Sequence, residues 1–272
     1  MIIWSILLVS ILLDVSFGIL TKYSSNNGHA GALAWWARLV KAVYTGAILL
    51  YQRRFPSTEV WILGAISSLL LLWGEYLRFR SMQKGSDTAC TLAVVELYPV
   101  LSGVLILFLP AFGTHPTGKD IAVFGLALAA LLVANWPKGG KLTKEAFISL
   151  LFMTVEISFT LYGRMVMGIP TTELLFAISV TGMIWFLPTV TRIDRRVVGW
   201  GTLAGLVQLG VVVLFLEVMG NAPAQSKPMM LAITSLSGTL GAVAANIWFK
   251  DRWSVKKVLL FTFLAAASVL AG

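Results

Sequence analysis

Ten apolar runs, each about as long as a helix that crosses a lipid bilayer, make up most of this 272-residue chain. A helix needs about 20 mostly apolar residues to cross the hydrocarbon core, and an open sheet cannot satisfy its backbone groups there. The runs cover 2–22, 31–51, 60–79, 88–110, 119–136, 145–166, 172–191, 197–218, 226–249 and 255–271. They predict an all-α integral membrane protein with ten transmembrane helices.

The composition agrees with a chain that lies almost entirely in lipid. It is 58% hydrophobic and 12% charged, whereas soluble domains are ~45–50% apolar and ~25% charged. No polar segment is long enough to form a separate soluble domain. The net charge of +9 comes mostly from Lys and Arg in the gaps between runs, as in cytoplasmic loops, so nucleic acid is not an expected partner.

Positive charge is divided unequally between the two sets of loops. The loops after the first, third, fifth, seventh and ninth runs contain thirteen Lys and Arg residues, and the other loops contain five. By the positive-inside rule the first set faces the cytoplasm and both termini face outward. The expected location is the cell inner membrane, with lipid as the surrounding partner.

An internal repeat divides the chain into two halves. Asp14-Val15-Ser16-Phe17, with Lys22, matches Glu156-Ile157-Ser158-Phe159, with Arg164, at an offset of 142 residues. Glu75 matches Glu217 at the same offset. Five helices in each half give the halves opposite orientations, as in many secondary transporters. We therefore predict two inverted five-helix repeats, 1–140 and 141–272, in one membrane domain.

Three stretches carry a resemblance to known transporters. "LDVSFGILTKYS" resembles the first helix of the small multidrug resistance proteins, in which a membrane glutamate is followed eight residues later by Lys. "GSDTACTLAVVELYPVLSGVLILF" and "GKDIAVFGLALAALLVAN" are similar to the last two helices of that family. Two such halves resemble the drug/metabolite transporter superfamily, of the EamA-like kind. The Gly-Glu often found after the fourth or ninth helix of that group is missing from "LPAFGTHPTG" and "FKDRWS".

Asp14 and Glu156 are the first candidates for a functional site. An ionised side chain at the bilayer centre costs at least ~2.5–3.5 kcal/mol, so such residues face a cavity or a partner. Small and polar residues form a stripe on the face of each acid: Ser10, Gly18 and Thr21 for Asp14, and Ser149, Thr160 and Gly163 for Glu156. Both carboxylates are thus predicted to face a pathway. Burial favours the neutral form, so each could hold either a proton or a cationic solute, as the resemblance also implies.

Other charged residues within the apolar runs allow several interpretations of the site. Glu75 and Glu96 could line the same site. Arg38 and Lys41 lie on one face of a helix, and could neutralise Asp14 or Glu75 in internal salt bridges. They could instead hold a carboxylate or a phosphate. With acids and bases both present, the site could also suit a zwitterion such as an amino acid.

The predicted function is secondary active transport of a small organic solute: an amine, an amino acid or a drug-like cation. Proton coupling, alternating access and a monomeric or homodimeric state are expected. Trp35 and Tyr98 lie beside the charges and could contact a cation through their ring faces. No enzyme, metal, cofactor or nucleotide motif is recognisable in the sequence. The alternative is a carrier or flippase for a phosphorylated metabolite or lipid-linked sugar, using Arg38 and Lys41.

Overall fold

The computed structural model describes the helical bundle in seven main segments. These are residues 30–83, 94–95, 97–112, 117–134, 143–190, 193–223 and 253–271, with isolated positions 9, 13, 227, 230, 231, 234, 240, 243, 244 and 247. Within these residues the structure is helical and contains no strand. The predicted all-α class is therefore confirmed for the described part of the chain.

Eight α-helices are described. They are α1 (Ala30–Tyr51), α2 (Thr58–Gln83), α3 (Tyr98–Phe108), α4 (Gly118–Ala134), α5 (Lys144–Met165), α6 (Thr171–Phe186), α7 (Arg195–Asn221) and α8 (Val255–Ala271). Short 3-10 turns, Pro110–Phe112 and Leu187–Thr189, follow α3 and α6.

Each described helix falls on one of the predicted apolar runs. Among the described residues, five helical segments are long and apolar enough to cross a membrane: Gly31–Tyr51, Thr58–Arg78, Lys144–Met165, Thr171–Thr189 and Arg195–Asn221. The chain is therefore a membrane protein by helix length and composition. The predicted runs 2–22 and 226–249 lie outside the described residues except at isolated positions. The count of ten helices accordingly stays a prediction.

Local sequence explains where several helices begin and end. Gly168, three residues after the end of α5, adopts a left-handed φ of 68°, and Pro170 then precedes the first residue of α6. Asp194 caps α7 by accepting hydrogen bonds from the backbone N–H groups of Arg196 and Val197, over 3.0 and 2.9 Å. Residues of this kind end one helix and begin the next, so the connections between consecutive helices are short.

The bundle is held by close contacts between helices from different parts of the chain. Helix α2 packs against α5 and α6, α1 packs against α6 and α7, and α4 packs against α8. Leucine, isoleucine and valine side chains from α2, α5, α6 and α7 form the main apolar cluster. Large apolar side chains such as Leu50, Ile62, Leu151 and Leu206 are exposed on the outside. These exposed side chains are the surface expected to meet lipid.

Hydrogen bonds between hydroxyl groups and carbonyls join the packed helices. The Ser149 hydroxyl on α5 donates to the Gly74 carbonyl on α2 over 2.7 Å. The Ser102 hydroxyl on α3 donates to the Thr154 carbonyl on α5 over 3.0 Å. In lipid, where apolar burial gives helices little reason to associate, such bonds and close backbone contacts contribute to the packing.

The contact between α2 and α6 depends on the missing side chain of Gly64. A Cβ at this position would lie 2.9 Å from the backbone carbonyl carbon of Ala177 and 2.7 Å from its Cβ. Gly64→Ala should therefore destabilise the bundle by about 1–3 kcal/mol, measured as a lower apparent Tm by tryptophan fluorescence in detergent. Gly125→Ala on α4 is the control, because a Cβ there meets nothing within 4 Å. Equal effects of the two substitutions would contradict the tight α2–α6 contact.

Candidate functional site

A cavity of about 110 Å³ lies among α1, α2, α3, α5, α6 and α7. Its charged and polar lining residues are Lys41, Glu75, Arg78, Tyr98, Glu156, Thr160, Ser179 and Gln208. Its apolar lining residues are Leu71, Met153, Ile157, Leu175, Ile178, Leu209, Val211 and Val212. Four of the residues predicted from sequence, Lys41, Glu75, Tyr98 and Glu156, thus meet at one cavity.

The cavity lies at the middle of the spanning helices. Lys41 stands about halfway along α1, Glu156 about halfway along α5, and Gln208 halfway along α7. All three helices are long and apolar enough to cross a membrane. The three side chains therefore meet at the depth where a charged group is most costly and most in need of a partner.

Lys41 is held by α7 through a neutral partner. Its ammonium group donates a hydrogen bond to the Gln208 side-chain oxygen over 2.6 Å. Lys41 is buried, yet in the described part of the chain it has no carboxylate within the 4.0 Å of an ion pair. An ammonium group with one neutral partner is an incompletely compensated charge in the cavity wall.

Arg38, one helical turn before Lys41, is used differently. Its guanidinium donates to a Glu75 carboxylate oxygen over 2.9 Å and lies 3.9 Å from the centre of the Phe186 ring. The side chain is almost fully buried, at 2% exposure. Arg38 therefore joins α1 to α2 and α6 through an internal salt bridge. Its partner Glu75 lines the cavity, whereas Arg38 is not among the described residues that line it.

Glu156 faces the cavity from α5 and is supported by its own helix. The Thr160 hydroxyl, one turn later, donates to a Glu156 carboxylate oxygen over 2.9 Å. The predicted stripe around Glu156 is buried but is divided between two roles. Glu156 and Thr160 line the cavity, whereas Ser149 bonds to the Gly74 carbonyl and Gly163 packs against Leu63. Only the central part of the stripe therefore faces the cavity.

The remaining predicted site residues have different positions. Asp14 and Glu96 lie outside the described residues. Trp35 is partly buried and contacts Trp36, with ring centroids 6.3 Å apart, and it is not among the described residues that line the cavity. The repeat partner of Glu75, Glu217, also lies away from the cavity. It pairs with Arg164 at 3.4 Å and accepts a hydrogen bond from Thr171.

Three polar residues that line the cavity, Arg78, Ser179 and Gln208, were not among the site residues predicted from the sequence. Gln208 stands alone as a polar side chain in the apolar stretch "LAGLVQLGVVV". An isolated amide at the centre of a spanning helix is a weaker signal than a charge, because its transfer into lipid costs less. Among the described residues, no group of three or more His, Cys, Asp or Glu side chains could hold a metal ion.

Comparisons with known proteins show a similar fold in solved structures but no related sequence family. No family model matches the sequence, and no curated protein matches it. Among solved structures, 28 chains match. One, described as "Crystal structure of protein", has a TM-score of 0.69 and 15% identity, over 98% of this chain and 94% of that chain. At this identity the similarity shows a shared fold and nothing about function.

Proposed function

We propose that this chain is a secondary active transporter of a small organic solute that carries a positively charged amine. The observation that carries the proposal is the mid-membrane cavity lined by Glu156, a buried carboxylate without a described ion-pair partner. Buried ionisable groups inside membrane helices characteristically mark substrate and proton pathways. The resemblance of the sequence to drug/metabolite transporters supports the same class.

Two inverted repeats of five helices are part of the proposal, and the helix contacts support them. In such a repeat, α1 corresponds to α6, α2 to α7 and α4 to α8. A twofold operation that exchanges the halves converts the α1–α7 contact into an α6–α2 contact, and both occur. It leaves α1–α6 and α4–α8 unchanged, and these helices also pack together. A site between inverted repeats can open alternately to the two sides.

Competition at Glu156 provides a route to proton coupling. A carboxyl group out of water is stabilised either by binding a proton or by pairing with a cation. If the solute's ammonium takes the place of the proton, inward movement of protons can drive solute in the opposite direction. Asp14 occupies the corresponding position in the first half. We propose that it acts with Glu156, in the inner membrane, in a monomer or homodimer.

The second candidate, transport of a phosphorylated metabolite or lipid-linked sugar through Arg38 and Lys41, has less support. Arg38 is already neutralised by Glu75 at 2.9 Å. Lys41 is then the member of this pair left to meet an anion. A cavity of about 110 Å³ is also smaller than the ~150 Å³ that accommodates benzene. A sugar phosphate would require a considerably larger site.

Transport by purified protein in liposomes tests the proposal. We expect amines or amino acids loaded inside the vesicles to leave faster when the external medium is made acidic, because protons entering at Glu156 exchange for solute. The measurement is efflux of a radiolabelled panel of small amines, amino acids and phosphorylated sugars, with empty vesicles as the control. Absence of pH-driven flux for every amine and amino acid would refute the proposed function.

A further inference from the structure

Lys41 and Gln208 form a polar pair whose hydrogen-bonding capacity is only partly used. An ammonium group has three donors, and the one described bond of Lys41 is the 2.6 Å bond to the Gln208 oxygen. The amide NH₂ group of Gln208 has no hydrogen bond within the described part of the chain. Both residues line the cavity. Together they offer several N–H donors and one positive charge to a ligand.

Glu156 presents the opposite chemistry from α5. One carboxylate oxygen accepts the 2.9 Å bond from Thr160, and the second has no hydrogen-bond donor among the described residues. Tyr98 lines the same cavity and adds an aromatic ring to it. This wall is therefore a receptor for a positive charge.

Lys41 and Glu156 line the same cavity but do not pair with each other. No ion pair of 4.0 Å or less joins Lys41 to Glu156 or to Glu75 in the described structure. At the centre of the bilayer, a charge with an incomplete set of partners carries a penalty of several kcal/mol. A ligand with one charge would relieve only one of the two residues. A ligand with both charges, placed between them, would relieve both.

We propose that the cavity binds a small zwitterion, with its carboxylate on Lys41 and Gln208 and its ammonium on Glu156. This inference rests on the proposed transport function and narrows its substrate class. The volume of about 110 Å³, against the ~150 Å³ of a benzene-binding cavity, limits the ligand to roughly the size of a small amino acid. The apolar part of the lining, which includes Ile178 and Val212, can contact a short aliphatic part of the ligand.

A matched series of probes tests the two-point binding. Alanine carries both charges, ethylamine is alanine without the carboxylate, and propionate is alanine without the ammonium. β-Alanine and γ-aminobutyrate have the same charges at larger separations. By equilibrium binding to purified protein in detergent, at least one of the three amino acids should bind about tenfold or more tightly than both ethylamine and propionate. Equal or tighter binding of either single-charge probe would overturn the inference.

Substitution of Lys41 separates the two ends of the ligand. In Lys41→Met the best amino acid should lose about tenfold or more in affinity, while ethylamine should bind as well as before or better. Gln208→Leu should weaken the amino acid in the same direction and provides a second variant should Lys41→Met fail to fold. Lys119→Met, at an exposed position on α4, is the matched control and should leave all affinities unchanged. Amino-acid affinity that survives both cavity substitutions would overturn the carboxylate assignment.

The outcome is distinguishable from failure of the transport proposal. Binding in detergent requires no gradient and no movement of the halves, so it reports only on the site. If ethylamine is transported with proton coupling and no amino acid binds better, the zwitterion inference fails and the transport function stands. If amino acids bind with the expected dependence on Lys41 but no pH-driven flux is found, the transport function fails and the assignment of the two ends of the site stands.

Discussion

The Glu156→Gln variant is expected to transport its amine-bearing solute about ten- to hundredfold more slowly than the wild type, and its flux should no longer respond to a pH gradient. Glutamine keeps the size of the side chain and an oxygen that can accept the Thr160 hydrogen bond. It removes the negative charge and the titratable proton. Initial rates in liposomes, measured with equal amounts of reconstituted protein and a series of external pH values, give both effects.

Glu217→Gln is the matched control for this experiment. It is the same chemical change at another acid in the second half of the chain. This acid pairs with Arg164, and its side chain is 45% exposed. We expect its flux and pH dependence to be close to those of the wild type. If Glu156→Gln retained a normal pH dependence, Glu156 could not be the coupling group. Asp14→Asn would then become the decisive variant.

The helices were predictable because lipid imposes a length on them. Apolar runs of about 20 residues, interrupted by residues such as Pro56 and Pro170, correspond to α1, α2, α5, α6 and α7 within a few residues. The membrane class follows from the same feature. Contacts between helices were not predictable in this way, because most faces of a membrane helix are apolar and give no strong signal of their neighbours.

The charged residues of the cavity were predictable from cost, and their partners were not. Glu75, Lys41 and Glu156 were conspicuous because a charge inside an apolar helix requires a cavity or a counterion. Whether Arg38 pairs with Glu75 or with Asp14 depends on how the helices are rotated about their axes. A three-residue spacing places Arg38 and Lys41 on one face, yet Arg38 reaches Glu75 while Lys41 reaches Gln208.

Sequence register also made Glu75 and Glu217 look equivalent, although their surroundings differ. Helix α2 continues from Glu75 to Gln83, so Glu75 lies deep in the bundle and is buried. Helix α7 ends at Asn221, one turn after Glu217, and this acid is therefore partly exposed near the end of the bundle. The two acids thus match in sequence at an offset of 142 residues, but Glu75 is buried and Glu217 is partly exposed.

Removing the partner of Arg38 is expected to have the largest effect on stability. In the Glu75→Leu variant the Arg38 guanidinium, which is 2% exposed, keeps its charge but loses the carboxylate that neutralises it. Breaking a buried pair in this way costs about 3–5 kcal/mol, which corresponds to a fall in apparent Tm of roughly 6–20 °C. The ten tryptophans of the chain provide the fluorescence signal for thermal unfolding of the protein in detergent.

The double variant Arg38→Leu/Glu75→Leu decides whether charge is the cause. With both partners apolar, no buried charge remains unpaired, and such replacements are often neutral or stabilising. The apparent Tm should therefore recover most of the loss. Glu217→Leu removes a carboxylate from the more exposed pair with Arg164 and should cost only about 0–1 kcal/mol. A double variant as unstable as Glu75→Leu would instead mean that the packing of Arg38 against Phe186 and Gly182, rather than its neutralisation, holds α1 to α6.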